Sequence, residues 1–115
     1  MEYKNKVPFE KRHEDALRIK EKFPERIPII IDLHKSSSTL PPLDKRKYLV
    51  TRDLTVGQFI YILRKRMKLN PEKAIFLFVN NTIPPTSEMV SEIYREHMDL
   101  DNFLYFTLSS ESVYG

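Results

Sequence analysis

The sequence predicts an α+β fold built on one four-stranded mixed sheet of the β-grasp kind. Three observations lead there. The elements read, in order, helix, strand, strand, helix, strand, helix, strand. The first strand candidate, Ile27 to Leu33, is β-branched and apolar enough to be buried. A well-capped helix stands between the second and third strands, so the first two strands would pair as a hairpin and that helix would cross one face of the sheet. A chain of 115 residues is large enough for one real core and too small for two.

Each element has its own signal. In the segment Phe9 to Phe23, Phe9, His13, Ala16, Lys20 and Phe23 share one side at helical spacing, with Asp15 and Ile19 on its flank. Pro24 ends that helix. His34 to Asp44 carries Ser36-Ser37-Ser38 and Pro41-Pro42 and reads as an exposed loop. Arg46 to Thr51 alternates as a second strand, with Lys47 and Leu49 on one face and Tyr48 and Val50 on the other. Next comes a helix start: Thr55 can cap the N-terminus while Gln58 reaches back, and Leu54 and Phe59 stand at the staple positions. That helix presents Val56, Phe59, Ile60, Leu63 and Met67 as one stripe. It ends in Arg64-Lys65-Arg66, favourable beside the negative end of its dipole. Ile75 to Val79 is a third strand, Pro84-Pro85 a turn, Ser87 to His97 a helix, and Phe103 to Leu108 the last strand. A short polar run, Ser109 to Ser112, then reads as a flexible arm leading to Gly115.

Composition narrows the function. Hydrophobic content of 41% with 30% charged residues is ordinary for a globular domain. The longest apolar run, Ile27 to Leu33, is far too short to span a bilayer, no signal-peptide core follows the N-terminus, and an intracellular setting is expected. Two glycines make neither a phosphate-cradling loop nor a dinucleotide fingerprint. His13, His34 and His97 are scattered and there is no cysteine, so no metal site, disulfide or thiol nucleophile is expected. Neither catalysis nor a cofactor is supported by these residues.

Charge is unevenly spread. From Lys35 to Lys73 there are ten basic residues against three acids, whereas from Ala74 to Gly115 Arg95 stands alone against six acids. The basic stretch is built to attract acidic partners, be they peptide, phosphate or membrane surface, or it is a solvated face with no partner. Gly115 is the second notable point. A glycine after a short polar arm can thread its carboxyl into a narrow cleft closed to other residues, as a protein needs if that carboxyl is to be activated and joined to an amine.

Taken together, several stretches spell out a known family. They include Pro8-Phe9-Glu10-Lys11-Arg12, Arg26-Ile27-Pro28-Ile29-Ile30, Asp44-Lys45-Arg46-Lys47-Tyr48-Leu49-Val50 and Asp53-Leu54-Thr55-Val56-Gly57-Gln58-Phe59. Ile62-Leu63-Arg64-Lys65-Arg66, Phe78-Val79-Asn80-Asn81, Ile83-Pro84-Pro85-Thr86-Ser87, Phe103-Leu104-Tyr105 and Glu111-Ser112-Val113-Tyr114-Gly115 complete them. Over nearly its whole length the chain resembles the autophagy ubiquitin-like modifiers, the GABA-receptor-associated-protein and microtubule light-chain group.

The resemblance implies a ubiquitin-like β-grasp with two additional N-terminal helices: residues 1–24 as a helical extension packed on a core of residues 25–109, and residues 110–115 as a conjugation tail. It implies a non-enzymatic modifier joined through Gly115 to phosphatidylethanolamine by activating and conjugating enzymes, its glycine usually exposed by a cysteine protease. Such a protein is cytoplasmic when free and sits on autophagosomal and other cytoplasmic membranes when lipidated. It recruits cargo receptors and autophagy machinery through aromatic-x-x-aliphatic motifs, and a tubulin contact is compatible with it. By resemblance, Asp15, Ile19, Pro28, Ile30, Lys47, Leu49 and Phe103 surround the pocket for the aromatic residue. Tyr48, Val50, Leu54, Phe59, Ile62 and Leu63 surround the pocket for the aliphatic one. Arg26, Lys45, Arg46 and Arg66 meet acids flanking the motif and contribute steering.

Two features depart from the family. Thr51 stands where proline is common, at the rim of the second pocket, and the loop Ser36 to Pro42 is idiosyncratic. The residues alone leave Ile62 open between an outward pocket and overflow from the core stripe. The alternative class is a non-conjugated basic adaptor for nucleic acid or the cytoskeleton. Basic residues give salt-dependent affinity for any polyanion, but no aromatic-basic RNA-binding signature accompanies them here.

Overall fold

The computed structural model describes residues 2–35 and 39–112. The expectation for Gly115 lies outside them, as do residues 36–38 of the idiosyncratic loop. Two helices, α1 (Glu2–Lys6) and α2 (Phe9–Lys22), precede the sheet. Strands β1 (Arg26–Leu33) and β2 (Lys47–Thr51) pair antiparallel, Arg26 facing Thr51 and Ile30 facing Lys47. Helix α3 (Val56–Met67) follows, then β3 (Phe76–Phe78), helix α4 (Val90–His97) and β4 (Leu104–Ser109). β4 lies between β1, to which it is parallel, and β3, to which it is antiparallel. The sheet order is therefore β2-β1-β4-β3, the expected mixed sheet, and it leaves β2 on an edge.

β1 is apolar from Ile27 to Ile31 because both of its faces are covered there. Ile27, Ile29 and Ile31 point into the main core with Phe59 and Leu63 of α3, Ile93 of α4 and Phe106 of β4. Ile30 points the other way, into a second cluster with Ala16 and Ile19 of α2, Phe103 and Tyr105. α3 begins at the expected capping box: the Thr55 N–H donates to Gln58 Oε1 at 2.8 Å and the Gln58 N–H to Thr55 Oγ1 at 3.2 Å. It ends at Lys68, a left-handed residue (φ 53°) whose N–H bonds the Arg64 and Lys65 carbonyls. Of the predicted stripe, Val56, Phe59 and Leu63 are buried, with Ile60 and Met67 partly so.

Four expectations are corrected. The inward face of α2 is Arg12, Ala16 and Ile19, not the stripe led by Phe9 and Phe23, which are 40% and 44% exposed. An arginine turns inward because the buried Asp101 carboxylate receives it at 2.5 Å, while Phe9 stacks on His13 outside. Within the loop after β1, Leu40 is tucked into the main core. Ser109 belongs to β4, buried and opposite Phe76, so the polar arm begins one residue later. The last helix starts at Val90, because residues from Pro85 to Met89 turn against the first turn of α3, with the Gly57 N–H bonding Thr86 O and the Val56 N–H bonding Glu88 O.

Candidate functional site

The outer edge of β2 can be mapped bond by bond. The Ile31 N–H donates to Arg46 O at 2.8 Å, which makes that pair a closed one. Closed and open pairs alternate in an antiparallel ladder, so Ile29–Tyr48 and Ile27–Val50 are closed as well. Lys47, Leu49 and Thr51 then turn their N–H and C=O groups away from β1, toward the open edge. Pro28 fits this phase, since it sits opposite Leu49 with its missing N–H pointed away from β2.

On one face of this edge, residues expected around the first pocket come together. Ile19, Ile30, Phe103 and Leu49 pack in a single cluster, with Ile30 and Phe103 fully buried as its floor. Lys47 spans the mouth, ion-paired to Asp15 of α2 and with Nζ 5.8 Å from the centre of the Phe103 ring. Burial works to raise the Asp15 carboxyl, but Lys47 and Arg18 prevail and hold it below the usual aspartate value. Ala16, Tyr3 and Tyr105 complete the cluster. Sequence reasoning placed none of these three around the first pocket; for Tyr105, its period-two spacing from Phe103 was the available signal.

The opposite face holds the second set. Tyr48, Val50, Phe59 and Leu63 lie inside the main core, Leu54 packs partly buried against them, and Ile62 is 38% exposed. Ile62 is thus resolved as an outward side chain on α3 rather than core overflow. The Tyr48 ring meets Phe59 edge-on at 5.5 Å. Its hydroxyl is buried with no hydrogen-bond partner among the described residues, and burial raises its pKa. Tyr48→Phe is accordingly expected to raise the unfolding free energy by about 1 kcal/mol. Urea denaturation reads this, and a loss of stability would show that the hydroxyl is satisfied.

The four cations expected at acidic flanks are each engaged within the molecule. Arg26 Nη1 donates to Leu49 O at 3.2 Å. Lys45 lies over the Tyr48 ring at 4.7 Å. Arg46 bridges Asp32 at 2.9 Å and Glu2 at 2.8 Å, tying α1 to the sheet. Asp32 is nevertheless raised above the usual aspartate value, because burial outweighs the Tyr3 N–H bond and the Arg46 charge. Arg66 pairs with Asp44 at 3.2 Å. Surface clefts elsewhere among the described residues include one of about 480 Å³ beside Glu2, Asp32 and His34, and one of about 360 Å³ beside Lys20, Arg52 and Arg95. Neither is lined by a residue of the two pocket sets.

This geometry has close relatives. Residues 11–115 match the family described as "Autophagy protein Atg8 ubiquitin like". Autophagy-related protein 8 of Candida glabrata is 55% identical over 113 residues, covering 98% of this chain and 95% of that one. Autophagy-related protein 8d of Arabidopsis thaliana is 53% identical over the same span, with 98% and 93% covered. Among solved structures, Trypanosoma brucei ATG8 superposes with a TM-score of 0.90 at 42% identity, covering 100% of this chain and 98% of that one. Plasmodium falciparum Atg8 in complex with a P. falciparum Atg3 peptide gives 0.87 at 36% identity, with 96% of each covered. A family match over nearly the whole chain, more than half of the residues shared with curated relatives and a common fold leave one conclusion: this chain is a member of the Atg8 family of ubiquitin-like autophagy proteins.

Proposed function

We propose that this protein is a modifier that docks short aromatic-x-x-aliphatic segments along the open edge of β2 and is joined through Gly115 to phosphatidylethanolamine. One observation carries the docking half: an edge strand whose Lys47 and Leu49 backbone groups face away from β1, with an apolar cluster on either face. In an added strand, residues i and i+3 point to opposite sides. An aromatic side chain directed to the Ile30–Phe103 cluster therefore brings the aliphatic one, three positions on, to the Tyr48–Val50 side with Leu54 and Ile62 at its rim. The relative solved with an Atg3 peptide supports a peptide-binding role.

Binding requires the Lys47–Asp15 pair to yield, since it closes the first cluster in the free protein. The partners are cargo receptors and autophagy machinery bearing the motif, with activating and conjugating enzymes and a processing cysteine protease acting on the tail. Catalysis belongs to those enzymes; this chain supplies the fold and the terminal carboxyl. Free, it is cytoplasmic. Conjugated, it carries two acyl chains, and two chains anchor stably where one is marginal.

Conjugation is tested by intact mass after incubation with activating and conjugating enzymes, ATP and phosphatidylethanolamine liposomes. The expected mass gain is one lipid less one water, strongly slowed in Gly115→Ala, whose methyl crowds a cleft shaped for bare backbone. An unchanged parent mass would overturn the conjugation reading. Calorimetry showing no binding of any motif peptide would overturn the docking reading.

A further inference from the structure

The cleft beside Lys20, Arg52 and Arg95 carries more positive charge than its own side chains neutralise. It opens where the last turn of α2, the residue after β2 and the outer face of α4 meet. Three cations line it against a single acid, Glu92, and Glu92 is taken by Arg95 at 2.7 Å. Lys20 and Arg52 form no ion pair among the described residues. Two uncompensated cations thus share one concavity, whose low-dielectric walls concentrate their field.

The walls are held in place. The Ser91 N–H donates to Arg52 O at 3.3 Å, which ties the end of β2 to the first turn of α4. The Tyr94 hydroxyl donates to Asn102 O at 2.7 Å and fixes a ring that lines the cleft. Lys20 Nζ stands 4.7 Å from the centre of that ring, a cation–π contact that keeps the ammonium there. The positive end of the α4 dipole adds to the potential. The first amides of α4 are bonded to the Leu54 and Arg52 carbonyls, so side chains must hold any ligand.

We propose that this cleft binds a single phosphomonoester, carried by a phosphorylated serine or threonine of a partner protein. The charge count selects one phosphate, since a phosphomonoester brings about −1.5 to −2 at pH 7 to meet the two free cations. Donors approach from three elements, which suits a tetrahedral oxyanion better than a planar carboxylate. Glu92 at the rim repels ligands with several phosphates. Met98, exposed beside the charges, offers apolar surface that the carbon body of an ester covers and a bare ion does not.

Strand register favours a protein over a lipid as the source. Arg52 follows Thr51, which faces Arg26 at the start of β1, whereas Ser109 follows Leu108, which lies beside Leu33 at its end. The strand from Arg26 to Leu33, about 23 Å long, separates those poles. A bilayer reached through the C-terminal tail therefore lies at the far pole, and this point alone rests on the conjugation reading. The cleft shares no residue with the two pocket sets, so it is independent of docking along β2.

The test follows backbone and arginine side-chain N–H signals of the full chain by NMR, in phosphate-free buffer at constant ionic strength. The probes are N-acetyl-phosphothreonine methylamide, the same compound without phosphate, and inorganic phosphate. The phosphorylated compound is expected to move the Arg52 and Ser91 signals and to bind roughly fivefold tighter than inorganic phosphate. The unphosphorylated compound should move neither. Lys20→Gln with Arg52→Gln should weaken binding roughly tenfold or more. Lys65→Gln with Lys68→Gln, the same charge loss outside the cleft, should change it less than about twofold. Equal losses in the two double variants would reduce the effect to general attraction of anions and overturn the site. Inorganic phosphate bound as tightly as the ester, or shifts that saturate elsewhere, would overturn it too. Phosphatidylcholine vesicles with and without phosphatidylinositol 4-phosphate separate the remaining source. Capture by the phosphorylated lipid that needs Lys20 and Arg52, with no binding of the soluble ester, would assign the cleft to a headgroup and overturn the phosphoprotein proposal.

Discussion

Asp101→Ala is expected to lower the unfolding free energy by about 3–5 kcal/mol, because removing one member of a buried pair leaves the other charge uncompensated. Asp101 is fully buried and serves three donors. Its Oδ2 receives Arg12 Nη1 at 2.5 Å and the Tyr105 hydroxyl at 2.5 Å, and its Oδ1 receives the Phe103 N–H at 2.8 Å. Arg12, held also by Nε to Val7 O at 2.9 Å, would be left inside with no carboxylate. Burial, reinforced by the bond to Asp101, pushes the Tyr105 phenol far above its ordinary range, so it stays a donor throughout. Urea denaturation with an unchanged m-value measures the loss, and a cost below about 1 kcal/mol would show that the pair is dispensable. Arg12→Met combined with Asp101→Asn should recover more than half of it, since the stranded charge is gone and the Phe103 N–H keeps an acceptor. The network anchors α2 over Phe103, so the single variant should also weaken docking.

Leu49→Asp is expected to leave the protein folded and to cut affinity for motif peptides roughly 100-fold, about 2.7 kcal/mol. Leu49 is only half-buried, so a carboxylate there remains hydrated in the free protein. A docked aromatic side chain would cover it and strip that water without supplying a donor. Circular dichroism checks the fold and calorimetry the affinity; unchanged affinity in a folded variant would remove β2 from the site. Tyr48 is the wrong position for this purpose. It is 5% exposed with its ring on Phe59, so truncation to alanine would cost about 3–5 kcal/mol of core stability and confound the readout.

Much of this was legible in the sequence, for local reasons. The capping box at Thr55 and Gln58 and the stripe Val56–Phe59–Leu63 depend only on neighbours within one or two turns. The division of β2 into a Lys47–Leu49 face and a Tyr48–Val50 face follows from strand period alone. What was not legible depended on distant partners. Arg12 turns inward because of a carboxylate 89 positions later, against the apolar pattern that would bury Phe9. Leu40 enters the core from a loop whose prolines and serines say only that it is exposed. Ser109 pairs with Phe76 in a ladder that no local pattern announces. The bond from Arg26 to Leu49 O requires the strand register, which a sequence does not print.

The order β2-β1-β4-β3 also fixes how the domain would bear a mechanical load. A pull on the chain beyond Ser109 acts along β4, which is clasped by β1 on one side and β3 on the other. It would be passed sideways through β1 to β2, where a tethered strand would draw on the far edge. When the tethered strand is drawn opposite to the direction of β4, each ladder on that path is loaded along the strands, so its bonds share the force in shear instead of opening one by one as in a zipper. Stretched between two attachments at opposite ends of this path, the sheet would resist as a whole.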